Sequence, residues 1–424
     1  MKIDINLSNA SFRMFGVLLI SLFLSACQST PHRVESVGPS ITGPSGNTIG
    51  GPRARTYDYP GEVYLNVAIP VFDPGLPLDR QGNLDYGKVQ ELDIWPQVRR
   101  LEANRFAVDT KTALEETRAF NTIFVTPGAD AAADVYVLGT INHSDTETLN
   151  LSIRVVDATN EVWGERTFEY RVHEGFYRDA FNQNKDPYEP MFKSIAGYVY
   201  DLLMRKSDED RRHVQRVASL RYAAMYSPES MASYLEERST RNGVRYRING
   251  MPAEEDPMWQ RIQLIQAEDQ AFLDGLQANY AAFHGESDAS YKDYQRETLP
   301  IAAEIRREKA RRSAQQFNVL LAAVGTALLV RNSDSTAGEI GAYVLGATAL
   351  YNLGEAIETN RNLRFQRQQL SEMGNSLDIK VTPQVVEFNN QRIELQGTAL
   401  EQYTQLRAQL QAIYRLEATP DQQL

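Results

Sequence analysis

The tightest restriction on how this chain folds is a run of strict alternation in its first half. Leu149, Leu151, Ile153 and Val155 alternate with Asn150, Ser152 and Arg154. Successive side chains of a strand point to opposite faces, so this segment belongs to a sheet with one face buried. Asp157-Ala158-Thr159-Asn160 then reads as a turn, and Val162 to Val172 returns with Trp163, Phe168 and Tyr170. The pattern predicts a β-hairpin whose register is set by which side must leave water.

The neighbouring segments supply the rest of the layer. Val63 to Phe72 (VYLNVAIPVF), Asn121 to Thr126 and Asp134 to Ile141 are short strand patterns rich in β-branched residues. A helical stretch from about Val89 to Ala119, broken near Asn104, carries Phe106, Thr110, Ala113, Thr117 and Phe120 at spacings of four and three. Met191 to Lys206 reads as a closing helix. Strand, helix, strand, strand, hairpin, helix predicts an α+β domain over residues 62–206, with a mixed sheet and packed helices.

These segments resemble the domain of curli-type secretion lipoproteins (CsgG-like) and the N-terminal domain of TolB. The motif resides in the hairpin, where Arg154, Val155, Val156, Asp157 and Ala158 precede the turn and Trp163 follows it. The resemblance implies ring-forming oligomers that serve export. This chain departs from the secretion family in lacking a pair of long amphipathic hairpins inserted in the domain, so a β-barrel pore made by residues 62–206 is not expected.

The N-terminus reports an address. Lys2 and Arg13 precede an apolar run from Met14 to Leu24, too short to span a bilayer, which ends in Leu24-Ser25-Ala26-Cys27. This segment resembles the lipobox of bacterial lipoproteins, which implies cleavage between Ala26 and Cys27, removal of residues 1–26 and lipidation of Cys27. Cys27 is the one cysteine in the chain, so the folded part has no disulfide and no cysteine-based zinc site. Several acyl chains on one residue anchor firmly, at roughly 0.8 kcal/mol per buried CH2. Gln28 in place of the aspartate that signals inner-membrane retention implies the outer membrane, periplasmic face. Residues 27–61, rich in Pro, Gly and Ser, read as a flexible tether.

The second half reads as a mainly helical region over 207–312, an apolar helical hairpin over 313–370, and a β-hairpin plus terminal helix over 371–424. Asp208 to Arg212 reads as a solvated charge run, Arg221 to Glu237 as helical, and Pro257 to Phe283 as a helix. Phe317 to Val330 and Gly338 to Gly354 are the apolar arms, and Gly338, Ala342 and Gly346 fall four apart on one face, suited to a membrane or oligomer contact. Fourteen residues span about 21 Å of helix, short of a roughly 30 Å hydrocarbon layer, so the pair reads either as a core αα-hairpin, which length favours, or as one that enters the membrane. Arg306, Arg307, Lys309, Arg311 and Arg312 on one flank could meet anionic headgroups in the second case.

Catalytic signatures are missing from the sequence. The five histidines are His32, His143, His173, His213 and His284, with no HExxH, and neither a GxSxG nor a P-loop occurs. His143-Ser144-Asp145 holds the letters of a triad, but neighbours on a strand point to opposite faces. A net charge of -11 argues against nucleic acid. Tyr57, Tyr59, Tyr64, Tyr170, Phe176 and Tyr177 read either as core packing or as an interaction surface. The expectation is a non-enzymatic outer-membrane lipoprotein with no catalytic residue, metal or cofactor. Its partners are the membrane, through the N-terminal lipid, and further copies of itself or envelope proteins. It would be a structural or assembly component of an oligomeric export complex, or alternatively a periplasmic adaptor without pore activity.

Overall fold

A computed structural model describes residues 55–241, 243–329, 368–388 and 391–418. Ala26, Cys27 and the tether up to residue 54 lie outside these residues, as do Gly338, Ala342, Gly346 and the second apolar arm. The fold is α+β, as the alternation and helical periods predict.

Five strands form the main sheet: β1 (Val67–Pro70), β2 (Ile123–Thr126), β3 (Val135–Ser144), β4 (Thr148–Asp157) and β5 (Val162–Arg171). Their order is β2-β1-β3-β4-β5, with β1 parallel to both neighbours and β3-β4-β5 an antiparallel meander. Leu149, Leu151, Ile153 and Val155 are all buried, together with Val135, Val137 and Ile141 across the β3–β4 register. Helices α2 (Pro96–Glu115) and α3 (Glu189–Leu203) pack against each other over this layer, with Phe106 and Phe192 centred 5.5 Å apart. Gly164 is where α3 presses closest, since a Cβ there would sit 2.4 Å from the Tyr198 hydroxyl.

The hairpin motif has a structural meaning. Asp157 Oδ1 accepts hydrogen bonds from the Thr159 amide and hydroxyl and the Glu161 amide, while Oδ2 accepts one from Trp163 Nε1 at 2.7 Å. One buried carboxylate thus closes the turn, and Asn160 takes the left-handed conformation it needs, φ 63°.

Three local expectations are corrected. The helical stretch after residue 86 breaks not at Asn104 but between α1 (Tyr86–Glu91) and α2, where Asp93 has φ 54° and Pro96 opens the next helix. Asn104 stays helical because its amide donates to the carbonyls of Arg100 and Leu377. Asp208 to Arg212 is the first turn of α4 (Asp208–Tyr226), where Ser207 and Asp210 form a capping box. Within it Arg211 is not solvated: it is buried, bonded to Asp208 and to the Leu203 carbonyl, with Tyr59 against its guanidinium. Arg221 to Glu237 is only partly helical. It covers the end of α4, the short α5 (Pro228–Met231) and the start of a hairpin, β6 (Leu235–Thr240) with β7 (Gly243–Ile248). That hairpin seats on the β4–β5 turn through the Tyr246 amide, which donates to the Thr159 carbonyl.

Helix α6 (Pro257–Leu329) runs 73 residues without interruption, through Pro300. The first apolar arm, Phe317 onward, is therefore the end of a helix that began at Pro257 rather than a separate element. The C-terminal hairpin β8 (Gln384–Phe388) and β9 (Gln391–Leu395) and helix α7 (Ala399–Ala418) follow the expected order. Thr398 and Glu401 cap α7 reciprocally, and Tyr403 stacks on Phe272 of α6. A single apolar core joins Leu65 of the first strand region to Tyr414 of the last helix.

One side chain closes an edge of the sheet. Gln277 of α6 accepts from the Val125 amide at 2.9 Å and donates to its carbonyl at 3.0 Å, occupying the place of a neighbouring strand along β2.

Candidate functional site

Polar chemistry concentrates in a seam where α6 lies along α2 and the β3–β4 turn. On α2, Arg99, Glu102, Arg105 and Asp109 recur at intervals of three and four, one stripe of a helix. On α6 the facing stripe is His284, Ser287, Asp288 and Tyr291. Arg105 donates to the His284 carbonyl at 2.9 Å, to Ser287 Oγ at 2.7 Å and to Asp288 Oδ1 at 3.0 Å, and its guanidinium lies over the Tyr291 ring. His284 Nε2 meets Asp109 at 2.8 Å. Further along, Thr298 donates to the Thr146 hydroxyl, and Arg306 Nε contacts both oxygens of Glu147.

Glu102 is one of the two fully buried acids of the seam, with Glu147. Its Oε1 accepts from Ser144 Oγ and from the Tyr291 hydroxyl, each at 2.8 Å. Its Oε2 has no hydrogen-bond partner, and Arg99 Nε stands 3.7 Å away. Burial pushes its carboxyl above the usual range, against the opposing pull of Arg99 and the two hydroxyl donors. Beside it opens a cavity of about 340 Å³ whose lining includes Trp95, Arg99, Glu102, Ser144 and Tyr294.

The residues singled out in the sequence are distributed as follows. His143 Nε2 bonds Asp145, just past the end of β3, at 2.9 Å, while Ser144 bonds Glu102 instead. No triad forms there. Tyr57 packs edge-on to Tyr200 and Tyr59 to Tyr64, Phe176 meets Tyr177, and Tyr177 donates to Gln295, so these aromatics pin the chain before β1 and the segment after β5. The basic flank is turned to another use. Arg306 and Arg307 pair with Glu147 and Glu174 of the α+β layer, and Arg311 pairs with Glu308 on its own helix. The first two are held by the layer's carboxylates because α6 runs along it. Among the described residues no group of three or more His, Cys, Asp or Glu could hold a metal ion, and no helix is long and apolar enough to cross a membrane.

Sequence reasoning missed the seam. Its signal was present as two stripes of opposite and hydrogen-bonding character on two helices, legible only once their pairing is known.

Buried acids make stability depend on pH. Asp134 is pushed up to about 6 by burial, eased by the Asn66 amide it accepts from, and Asp269 to about 6 by burial, eased by Arg407 and the Tyr403 hydroxyl. Asp186 moves the same way through burial and then the nearby Asp109 charge. A carboxyl raised in the folded state binds its proton more tightly there than in the unfolded chain. Its stabilising contribution is full below the unfolded value near 4 and lost as pH rises through the folded value. Asp145 and Asp288 are lowered, burial being outweighed by His143 and by Lys292 with Arg105 respectively, so their window lies below the ordinary carboxylate range. The thermal midpoint is therefore expected to be higher at about pH 5.5 than at about pH 7.5. Replacing Asp134 and Asp269 together by asparagine should flatten that slope, and an unchanged slope would assign it elsewhere.

No family model matches this chain, and neither does any curated protein or solved structure. What fold and site define is a class: an α+β body sealed along a charged seam to one long helix.

Proposed function

We propose that this chain is a lipoprotein, anchored to the outer membrane through Cys27 and facing the periplasm, that acts as a structural or assembly component of an oligomeric envelope export complex. The observation that carries the reading is the course of α6. It is fastened to the body as far as Arg307, and about 33 Å of further helix continues to Leu329, taking in the apolar sequence that starts at Phe317. A helix rigidly held at one end and apolar in sequence at the other is suited to meet other copies or a lipid surface. The resemblance of residues 62–206 to curli-type secretion lipoproteins agrees with it.

The second reading, a periplasmic adaptor without pore activity, is favoured by the tightness of the meander. Residues 145–147 and 158–161 alone join its strands, which leaves no inserted hairpin there.

Both readings share the anchor, and one preparation tests them. Wild-type protein is expected in the outer-membrane fraction, and Cys27→Ser in the soluble periplasmic fraction; a variant that stays membrane-bound would contradict lipidation as the anchor. In detergent the lipidated protein should have the mass of several copies. A monomer at every concentration would leave the adaptor.

A further inference from the structure

The main sheet has two edges, and the chain treats them differently. Along β2 the Gln277 side chain takes the place of a neighbouring strand. Along β5 the sheet ends, and among the described residues no strand pairs with its outer side. An open edge is a template for another chain, and natural edges are commonly kept short or interrupted by proline. Strand β5 is ten residues long and has no proline. Its one defence is charge, and that charge is of both signs: Glu165, Arg166, Glu169 and Arg171.

The unpaired backbone groups follow from the register. Val172 donates to the Glu147 carbonyl at 2.7 Å, and in an antiparallel ladder residues bonded inward alternate with residues facing outward. Phe168, Tyr170 and Val172 therefore bond β4, while the amides and carbonyls of Glu165, Thr167, Glu169 and Arg171 face away from the sheet. The side chains of these four lie on the polar outer face, where Thr167 meets Ser152 at 3.1 Å. Glu165, Thr167 and Glu169 are exposed and Arg171 is partly so.

A second copy of β5 fits this edge by symmetry. Facing residues must point to the same side of the sheet, so a two-fold axis relating two antiparallel copies passes through a residue position. Centred on Glu165, Arg166 or Glu169 it brings like charges together, and centred on Thr167 it sets Glu165 against Glu169. Centred on Phe168 it sets Glu165 against Arg171 twice, with Thr167 facing Glu169 and Arg166 facing Tyr170. Centres nearer the ends leave less of the strand paired. With Phe168 on the axis, the outward groups of Glu165 meet those of Arg171, and those of Thr167 meet those of Glu169. Glu165 already lies opposite Arg154 of β4, so Arg171 of the second copy extends a row of alternating sign.

We propose that two copies of this chain join edge to edge along β5, antiparallel about a two-fold axis at Phe168, so that their sheets run on as one. The contact rests on the reading of this chain as one that works in several copies, and it supplies the surface by which they meet.

The test measures the mass of the lipidated full-length protein in detergent by light scattering over a concentration series. Glu165→Arg alone and Arg171→Glu alone each set like charges face to face twice, and should raise the concentration needed for pairing about tenfold. The two changes together restore opposite charges and should bring it back to within about twofold of wild type. Thr167→Pro removes an amide that bonds nothing within the sheet, so it should leave the far-ultraviolet circular dichroism unchanged and abolish pairing. That variant carries the test if a charge reversal does not fold. A multi-copy protein whose mass none of these variants alters would overturn the β5 contact and leave the multi-copy reading standing. Weakening by the single reversals without recovery in the double would overturn the two-fold register. A wild-type monomer at every concentration would overturn both the contact and the reading beneath it.

Discussion

Replacing Arg105 by alanine is expected to lower the stability of the folded chain by about 3 kcal/mol, read as a drop in the urea midpoint with an unchanged slope. The effect follows from what its guanidinium does. It is 2% exposed and donates to a carbonyl, a hydroxyl and a carboxylate on α6 while stacking on Tyr291. Removing one partner of a buried ion pair costs about 3–5 kcal/mol when the other charge is stranded. Here Asp288 keeps Lys292 at 2.8 Å, so the effect falls at the low end of that range. Most of the loss comes from the missing bonds, the vacated volume and the unstacked ring. Arg105→Lys should recover less than half, because one ammonium cannot reach three acceptors and stack as the planar fork does. A change below about 1 kcal/mol would mean that the seam closes without this residue.

A chain ended after Lys206 is expected not to fold cooperatively, although it would contain the whole five-stranded sheet. Ile262, Ile265, Phe272, Leu276, Tyr280 and Tyr403 belong to the same core as the strands. Fully burying a large apolar side chain is worth about 1.5–3 kcal/mol, so losing these six, about 9–18 kcal/mol, is comparable with the whole stability of a typical domain, about 5–15 kcal/mol. The shortened chain should lose its near-ultraviolet circular dichroism and bind a hydrophobic dye. Sharp thermal unfolding within a few degrees of the full chain would show that the sheet and its two helices suffice.

The parts of the fold that were legible are those in which one face is dry and the other wet. The β4–β5 hairpin was plain because Leu149 to Val155 alternate without exception, and α3 because its apolar residues recur at helical spacing. The β6–β7 hairpin is hidden because β6, LEERST, carries charge on both faces, and β7, GVRYRI, alternates over only three apolar residues, none of them buried. The true helix break is marked in the sequence by Pro96, the residue type favoured at a first helical position, rather than by Asn104. The candidate site was illegible for a different reason. Arg99, Glu102 and Arg105 are charged residues at helical spacing, and it is the docking of residues 284–291, far along the chain, that makes them interior. Ion pairing likewise changed the meaning of the basic flank, since Glu147 and Glu174 lie more than a hundred residues before Arg306 and Arg307.

The Gln277 clamp on β2 has a consequence for how the molecule is made. The chain is delivered N-terminus first, and Val125 is available 152 residues before the amide that covers it. Tyr403 reaches Phe272 and Asp269 still later, 134 residues after the aspartate it bonds. Until those later segments arrive the β2 edge is open and the core unshut. Completion of the core thus waits on segments more than a hundred residues downstream of the strands they cover. The interval before it is when a binding factor that shields strand edges would matter most to this protein.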